Sequence, residues 1–133
     1  MSYTHTWTVR FSDTDPFGIA HYPRMIDAIH EASDAFMEHV GYPYWELTEE
    51  HGLGLPLVSM DFDFTGQVRG GDRVEIELTP EVGDSSVRFE YVATHDGEVV
   101  FEGTEFRVCV PVDGDGGVPV PDDLRAALER TDE

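Results

Sequence analysis

Two acidic side chains, Asp13 and Asp15, lie in a loop of turn-forming residues that directly precedes an amphipathic segment beginning at Pro23. The start of a helix offers free backbone N–H groups and a partial positive charge, which can stabilise an oxyanion developing on a carbonyl group. A carboxylate a few residues away can attack the carbonyl carbon or activate water beside it. Asp-Pro-x-Gly is also a common turn sequence, so the residues alone leave both a catalytic and a purely structural interpretation open.

The helix that would position this loop is predicted over residues 23–40. Pro23 suits the first turn, and Gly41 ends the pattern. Acidic residues fall on the side opposite the apolar stripe, which is typical of one amphipathic helix of about five turns. The apolar residues recur at spacings of three and four: Met25, Ile26, Ile29, Ala32, Phe36, Met37 and Val40.

The rest of the chain alternates with the period of strands. Apolar and polar residues alternate over 3–11, and four further strands are predicted at 57–65, 74–82, 86–94 and 99–110. Short helices are expected at 43–51 and 122–130, and Asp96-Gly97 carries a hairpin signal. The order of one strand, a long helix and then four strands predicts an α+β fold, with an antiparallel sheet curled around the helix.

Composition fits one globular domain spanning residues 1–133. The chain has 28 acidic and 8 basic side chains, a formal net charge of −20, and no Lys. Because the acids are dispersed along the chain, we expect a protein from a cell with very high internal salt, where self-repulsion is screened; an ordinary acidic protein is the alternative. Nucleic acid is excluded as a partner, because binding phosphates needs clustered cations.

Features of targeting and redox chemistry favour a cytoplasmic protein. The single cysteine, Cys109, cannot form a disulfide within the chain and lies in an apolar run, where a small buried side chain is the expected role. The N-terminal residues lack the pattern of a signal sequence. No apolar run reaches the length of a membrane span, so no membrane partner is expected.

The loop and the helix start resemble the 4-hydroxybenzoyl-CoA thioesterase family of hotdog proteins. The likeness covers roughly residues 5–110, and the segment from Phe11 to Pro23 carries its most specific part. It continues in these segments: Gly41-Tyr42-Pro43-Tyr44-Trp45, Leu57-Val58-Ser59 with Asp72, and Glu105-Phe106-Arg107-Val108. The resemblance implies a hotdog fold, with a five-stranded antiparallel sheet wrapped around one long central helix, and an enzyme that hydrolyses an acyl-CoA thioester without a cofactor or metal.

The resemblance also implies roles for individual residues. Asp15 lies at the position of the family's catalytic carboxylate, acting as nucleophile or general base, and the Tyr22 N–H would hold the thioester oxygen. His21 stands where this branch of the family usually has an aromatic residue, and the family's Lys in the strand near Ser85 has no counterpart in this sequence. The remaining substrate-binding candidates, with arginines for the CoA phosphates, are His21, Ser59, Arg88 and Arg107. The family implies a homodimer or homotetramer with sites at the interface between subunits.

Two other functions stay open. A non-catalytic hotdog module could bind acyl-CoA without turnover, because a fold does not fix a function. An enoyl-CoA hydratase of the same fold is the second alternative, although the Asp/His pair on a longer overhanging segment is not evident in this sequence. His30 and Asp34 have the four-residue spacing of helical metal ligands, but in so acidic a chain this spacing is expected by chance, and a solvated helix face is the favoured interpretation.

Overall fold

The computed structural model describes residues 2–114 and 116–130. The strands of its main sheet are β1 (Tyr3–Thr8), β3 (Leu57–Phe64), β4 (Arg73–Val82), β5 (Ser86–His95) and β6 (Glu98–Val108). All five are antiparallel and lie in the spatial order β1-β4-β5-β6-β3, so β1 and β3 form the two edges. This arrangement confirms the predicted α+β hotdog fold.

Three helices and a small second sheet complete the described chain. The helices are α1 (Tyr22–His39), α2 (Tyr44–His51) and α3 (Asp122–Glu129), and the two-stranded sheet pairs β2 (Leu53–Gly54) with β7 (Val110–Pro111). All three helices agree with the predicted segments to within a residue or two. Among the described residues, no helix is both long enough and apolar enough to cross a membrane.

Helix α1 lies against the inward face of the sheet because its apolar stripe is continuous. Ile29, Ala32 and Phe36 are completely buried, and the Phe36 ring packs edge-on against Phe89 of β5 at 5.6 Å between centroids. Such aromatic pairs contribute roughly 0.5–1.5 kcal/mol beyond the area that they bury. Helix α1 ends at His39, and the chain turns away at Gly41, whose φ of +90° is a left-handed conformation that glycine adopts without steric cost.

The strands bury every second side chain, as the alternation predicts. In β4 the apolar residues Val74, Ile76 and Leu78 are completely buried, and the acidic residues Glu75 and Glu77 between them are exposed. Each apolar side chain therefore faces α1 and each carboxylate faces solvent. Strand β3 differs, because seven of its eight residues are exposed, including apolar ones, in this single chain.

The first strand is shorter than predicted. Strand β1 ends at Thr8, and residues 11–13 form a 3-10 turn in which the Phe11 side chain is 93% exposed rather than inward-facing. The cause is local hydrogen bonding: the Arg10 N–H donates to the Asp13 carboxylate at 2.9 Å, and the Thr14 hydroxyl donates to the Phe11 carbonyl at 2.7 Å. These side-chain contacts give the backbone an alternative to the sheet ladder.

The pairing of β3 with β6 requires glycine at position 103. A Cβ atom built there would lie 2.2 Å from the Asp61 carbonyl oxygen and 2.6 Å from the Phe62 ring. Phe62 pairs directly with Gly103 and covers the space where a side chain would stand. Neither backbone can move away without breaking ladder hydrogen bonds.

We predict that Gly103→Ala lowers the free energy of unfolding by about 1–3 kcal/mol, the usual cost of overpacking a closely packed position. Urea unfolding followed by circular dichroism measures it. Gly54→Ala is the matched control, since a Cβ atom there meets only Pro56 at 3.8 Å. Equal stability of the two variants would contradict the account.

Candidate functional site

The loop that carries Asp15 folds back on itself as a small hairpin. Thr14 forms a β-bridge with Ala20, and the Asp15 N–H donates to the Ile19 carbonyl at 2.8 Å. The Asp15 carboxylate caps the turn: its Oδ1 accepts hydrogen bonds from the Phe17 N–H at 2.9 Å and the Ile19 N–H at 3.2 Å. Oδ2 has no hydrogen-bond donor among the described residues. The loop therefore holds the carboxylate through one oxygen and leaves the other without a hydrogen bond from the described residues.

Asp13 joins this hairpin to the start of α1. The His21 N–H donates to the Asp13 carbonyl at 2.8 Å, and the Asp13 carboxylate lies 3.6 Å from the Arg24 guanidinium in the first turn. His21 is the N-cap residue but forms no side-chain cap, and Pro23 has no N–H. Over residues 2–114 and 116–130, the Tyr22 N–H has no acceptor. The start of α1 therefore presents the Tyr22 N–H as an unused donor, three residues after Ile19, which pairs with Asp15 in the hairpin.

A groove of about 830 Å³ lies along the hairpin. Asp15, Thr14 and Gly18 line one side, and the turn at Arg69–Gly71 lines the other. Arg69 is held there because Ile19 forms a β-bridge with it. Sequence reasoning did not identify Arg69 as a site residue; the only signal was a basic residue in the turn-like stretch after β3. It brings a cation to the groove that contains Asp15.

A second cavity, of about 600 Å³, lies between α1 and the sheet on the other side of the helix start. Its apolar walls come from Trp7 of β1 and Met60 of β3, and Asp13 lies at its rim. The buried polar residues Glu105 and Arg107 of β6 also line it. Asp13 therefore lines this cavity while Asp15 lines the groove, so the loop between β1 and α1 borders both spaces.

Glu105 and Arg107 form the buried polar centre of the fold. They are 3% and 5% exposed, and the Arg107 Nη2 lies 3.2 Å from the Glu105 Oε1. The same Oε1 accepts the Tyr91 hydroxyl at 2.6 Å, and the Arg107 Nη1 donates to the Leu55 carbonyl at 2.9 Å. The Arg107 guanidinium also lies over the Tyr44 ring, 5.5 Å from its centroid.

The electrostatics of this centre follow from burial and from mutual contact. Burial raises the pKa of the Tyr91 phenol, and the adjacent Glu105 carboxylate raises it further. Burial also raises the pKa of Tyr44, an effect that Arg107 opposes. Burial alone would lower the pKa of Arg107, but Tyr44, Glu105 and Tyr91 outweigh it and hold that pKa above its ordinary value. Both phenols are therefore neutral at physiological pH, and that of Tyr91 donates its hydrogen to Glu105.

The importance of Glu105 was missed in the sequence, although a signal was present. Phe101, Gly103, Glu105 and Arg107 have the same parity in β6, so the two charged residues continue the inward face of the strand. Arg107 was expected to bind CoA phosphates. Its guanidinium is committed to Glu105 and to the Leu55 carbonyl, and the phosphate-binding role stays a prediction.

Ser59 and Arg88 lie on the opposite, outward face of the sheet. Both pair directly with Phe106, from β3 and β5 respectively, and residues directly opposite each other in antiparallel strands share a face. Arg88 lies 3.6 Å from both Glu81 and Glu90 at the surface. Ser59 and Arg88 therefore lie near each other, but on the face of the sheet that points away from α1 and from the cavity that Asp13 lines.

Two histidines complete the set of predicted candidates. His21 is exposed, and its ring lies 5.7 Å from the Tyr22 ring, between centroids. The His30 ring lies 3.6 Å from the Asp34 carboxylate, with both side chains largely exposed. Within the described ranges, no group of three or more His, Cys, Asp or Glu residues could hold a metal ion.

We predict that Arg107→Met lowers the free energy of unfolding by about 3–5 kcal/mol, because it leaves the Glu105 carboxylate buried without its cation. The double variant Glu105→Leu/Arg107→Met should recover most of that loss, since it removes both charges. Urea unfolding of the two variants and the wild type measures the effect. A single variant within about 1 kcal/mol of the wild type would show that the pair contributes little.

Comparison with known protein families gives one match that spans most of the chain. The Thioesterase-like superfamily matches residues 9–128. A 1,4-dihydroxy-2-naphthoyl-CoA hydrolase of Nostoc punctiforme is 27% identical over 130 residues, which is 97% of this chain and 88% of that protein. The corresponding hydrolase of Synechococcus elongatus is 27% identical over 125 residues, covering 92% of each chain.

Solved structures agree with the fold. A gentisyl-coenzyme A thioesterase is 28% identical, with a TM-score of 0.82, and the match covers 95% of this chain and 98% of that one. A 1,4-dihydroxy-2-naphthoyl-CoA thioesterase from Synechocystis has a TM-score of 0.90 at 20% identity, covering 100% of this chain and 99% of that one. At that identity the second likeness speaks for the fold alone.

Proposed function

The chain belongs to the Thioesterase-like superfamily, and we propose that it is an acyl-CoA thioesterase that hydrolyses the thioester of a hydroxylated aromatic acyl group. The relatives reported above are named as hydrolases or thioesterases of such CoA esters. The observation that carries the proposal is the Asp15 carboxylate, which is held by the loop through one oxygen, a short distance along the chain from the unused Tyr22 N–H. We propose Asp15 as the catalytic carboxylate.

Two routes satisfy the chemistry. As a nucleophile, Asp15 attacks the thioester carbon through Oδ2, the C–S bond breaks, and CoA leaves as a thiolate that takes up a proton; water then cleaves the resulting anhydride. As a general base, Asp15 removes a proton from the water that attacks the carbon, the C–S bond breaks, and the CoA thiolate takes up that proton. In both routes, negative charge develops on the thioester oxygen, and the products are a carboxylic acid and free CoA.

The start of α1 would stabilise that charge. The Tyr22 N–H would donate to the thioester oxygen, and α1 adds the positive end of an 18-residue helix dipole. Oxyanion donors are most effective when they are fixed before the reaction. The contacts of Asp13 with His21 and Arg24 fix this helix start and support the assignment.

Substrate binding would use His21, Ser59, Arg88 and Arg107. His21 flanks the helix start, and Arg107 lies in the wall of the cavity. Because Ser59 and Arg88 lie on the outward face, we propose that they bind the CoA portion in a homodimer or homotetramer, where one copy's outward face can meet another copy's loop. Strand β3 supports assembly, since it is a sheet edge whose Val58 is 59% exposed.

The charge and the cysteine support two further proposals. A net charge of −20 with no Lys favours a protein adapted to molar salt. The thiol of Cys109 is buried and unpaired with another cysteine in the described chain, which favours a reducing cytoplasm. We propose that the chain acts as a single domain in that compartment.

We predict that Asp15→Asn lowers kcat by at least about 10²-fold, since the amide can neither attack nor accept a proton. Release of free thiol from a panel of acyl-CoAs in molar KCl measures it. Asp84→Asn is the matched control: it makes the same chemical change at an exposed carboxylate in the β4–β5 turn.

An unchanged rate in Asp15→Asn would refute the catalytic assignment. Tight binding of acyl-CoA by the wild type without thiol release would instead favour a non-catalytic binding module. Loss of enoyl thioester absorbance without thiol release would favour the hydratase alternative. Thiol release and enoyl absorbance are followed in one reaction, and the affinity for acyl-CoA is measured separately.

We predict that removing salt lowers the melting temperature, because self-repulsion becomes unscreened. A loss of about 2 kcal/mol corresponds to roughly 8 °C for a chain of this length. Scanning calorimetry between 0.1 M and 3 M KCl measures it. Glu49→Gln/Glu50→Gln, which removes two exposed charges of α2, should show a smaller salt dependence. A melting temperature independent of salt would contradict adaptation to salt.

A further inference from the structure

In the part of the chain that the structure describes, one oxygen of the buried Glu105 carboxylate has no hydrogen-bond partner. Oε1 accepts the Tyr91 hydroxyl at 2.6 Å, the Arg107 Nη2 at 3.2 Å and the Arg107 Nε at 3.4 Å. All three donors converge on that atom. Within residues 2–114 and 116–130, no donor reaches Oε2, although the side chain is only 4% exposed. Buried polar atoms in native proteins almost always have a partner, so this one calls for an explanation.

The cavity beside the carboxylate supplies the explanation. Glu105 lines the space of about 600 Å³ between α1 and the sheet, which lies within the size range of small-molecule sites. With Oε1 occupied by protein donors, Oε2 is the oxygen left to meet a ligand in that space. A bound group that donates a hydrogen bond would complete the coordination of the carboxylate.

The walls define the shape and polarity of the ligand. Trp7, Ile26, Leu57 and Met60 give the cavity apolar sides that suit an aromatic ring, and a methionine sulfur contacts such a ring favourably. On the helix side the cavity is lined by Arg24, His30 and the acidic residues Asp27 and Glu31. The Arg24 guanidinium already lies 3.6 Å from the Asp13 carboxylate, so the acidic side chains still disfavour a ligand carboxylate.

The positive charge of Arg107 next to Glu105 further restricts which chemical group of a ligand can bind there. The Arg107 guanidinium lies 3.2 Å from Oε1, so the carboxylate already has its counter-ion and a second cation would be repelled. A neutral donor is therefore favoured, and on an aromatic ring the simplest one is a phenolic hydroxyl. The cavity combines apolar sides with one acceptor at the sheet wall.

We propose that Glu105 is a specificity-determining residue, whose Oε2 accepts a hydrogen bond from a hydroxyl group on the ring of the acyl substrate. This inference rests on the proposed thioesterase function and names the residue that selects its substrate. A site built to bind a hydroxyl group discriminates strongly against analogues that lack it, since its own polar atom is then left unpaired. Glu105 acts on binding and orientation, and the chemistry at the thioester stays with Asp15.

The test compares hydroxy- and methoxybenzoyl-CoA at each ring position, with benzoyl-CoA as the unsubstituted reference. Hydroxy and methoxy groups donate electrons to the ring to a similar extent, so the pair separates hydrogen-bond donation from thioester reactivity. For at least one ring position, kcat/KM of the wild type should be tenfold or more higher for the hydroxy substrate. A hydroxy-to-methoxy ratio within twofold at every position would overturn the inference while leaving the thioesterase function intact.

Glu105→Gln is the decisive variant because its orientation is fixed by its neighbours. Tyr91 and Arg107 both donate to the Oε1 position, so the amide oxygen must lie there and the amide NH₂ must replace Oε2. The acceptor becomes a donor, and the hydroxy-to-methoxy ratio should fall at least tenfold. Tyr91→Phe is the matched control: it removes a donor to Oε1, leaves Oε2 unchanged and should keep the ratio within threefold. An unchanged ratio in Glu105→Gln would overturn the inference.

A binding measurement keeps the test independent of turnover and of the folding of the variant. NMR titration of the wild type with 2-naphthol and with 2-methoxynaphthalene should shift the amide signals of residues 103–107, with at least tenfold tighter binding of the naphthol. Equal affinities would count against Glu105 as the acceptor. Absence of hydrolysis for every thioester would refute the proposed function, and the naphthol titration would still decide whether the cavity selects a hydroxyl group.

Discussion

The arrangement of the site depends on the attachment of Asp13 to the start of α1. One residue supplies a carbonyl to the His21 N–H and a carboxylate to both the Arg10 N–H and the Arg24 guanidinium. These contacts close the chain between β1 and the helix, so the hairpin that carries Asp15 has little freedom relative to the helix terminus. A catalytic carboxylate and an oxyanion donor must be held close to their productive geometry, and a loop alone seldom achieves this.

The attachment of Asp13 can be no more rigid than α1 itself, and packing against the sheet fixes the position of α1. Its buried face packs against β1 and β4, and Phe36 extends the contact to Phe89 of β5. The opposite face of α1 carries acidic residues into solvent, so the orientation of the helix is fixed by its amphipathic pattern. The strongly acidic surface and the apolar core therefore act together: solvation favours exposure of the acidic face of α1, and the hydrophobic effect favours burial of its apolar face.

The elements could be predicted from the sequence because their periods are clear and sustained. Helix α1 and strands β4, β5 and β6 differ from the predicted bounds by only one or two residues. The end of β1 could not be predicted, because apolar and polar residues still alternate at Phe11, while the Arg10–Asp13 hydrogen bond that ends the strand depends on loop geometry. The candidate site was predicted in part, because the acidic residues of the loop identified that loop in the sequence. Arg69 was not predicted, because a β-bridge to Ile19 places it beside the groove, and no local sequence pattern encodes that bridge.

Position 107 shows why a buried charge in this fold is an arginine. A guanidinium has donors in several directions, and here it reaches the Glu105 carboxylate through Nε and Nη2 and the Leu55 carbonyl through Nη1, while its face lies over the Tyr44 ring. An ammonium group presents one compact charge and could not join strand β6 to the segment before β3 in the same way. Because the fork approaches Glu105 from the side of Oε1, together with the Tyr91 hydroxyl, the protein's donors are concentrated on one oxygen. The unsatisfied oxygen is therefore a direct consequence of how the charge is stabilised, and it belongs to a residue that lines the cavity between α1 and the sheet.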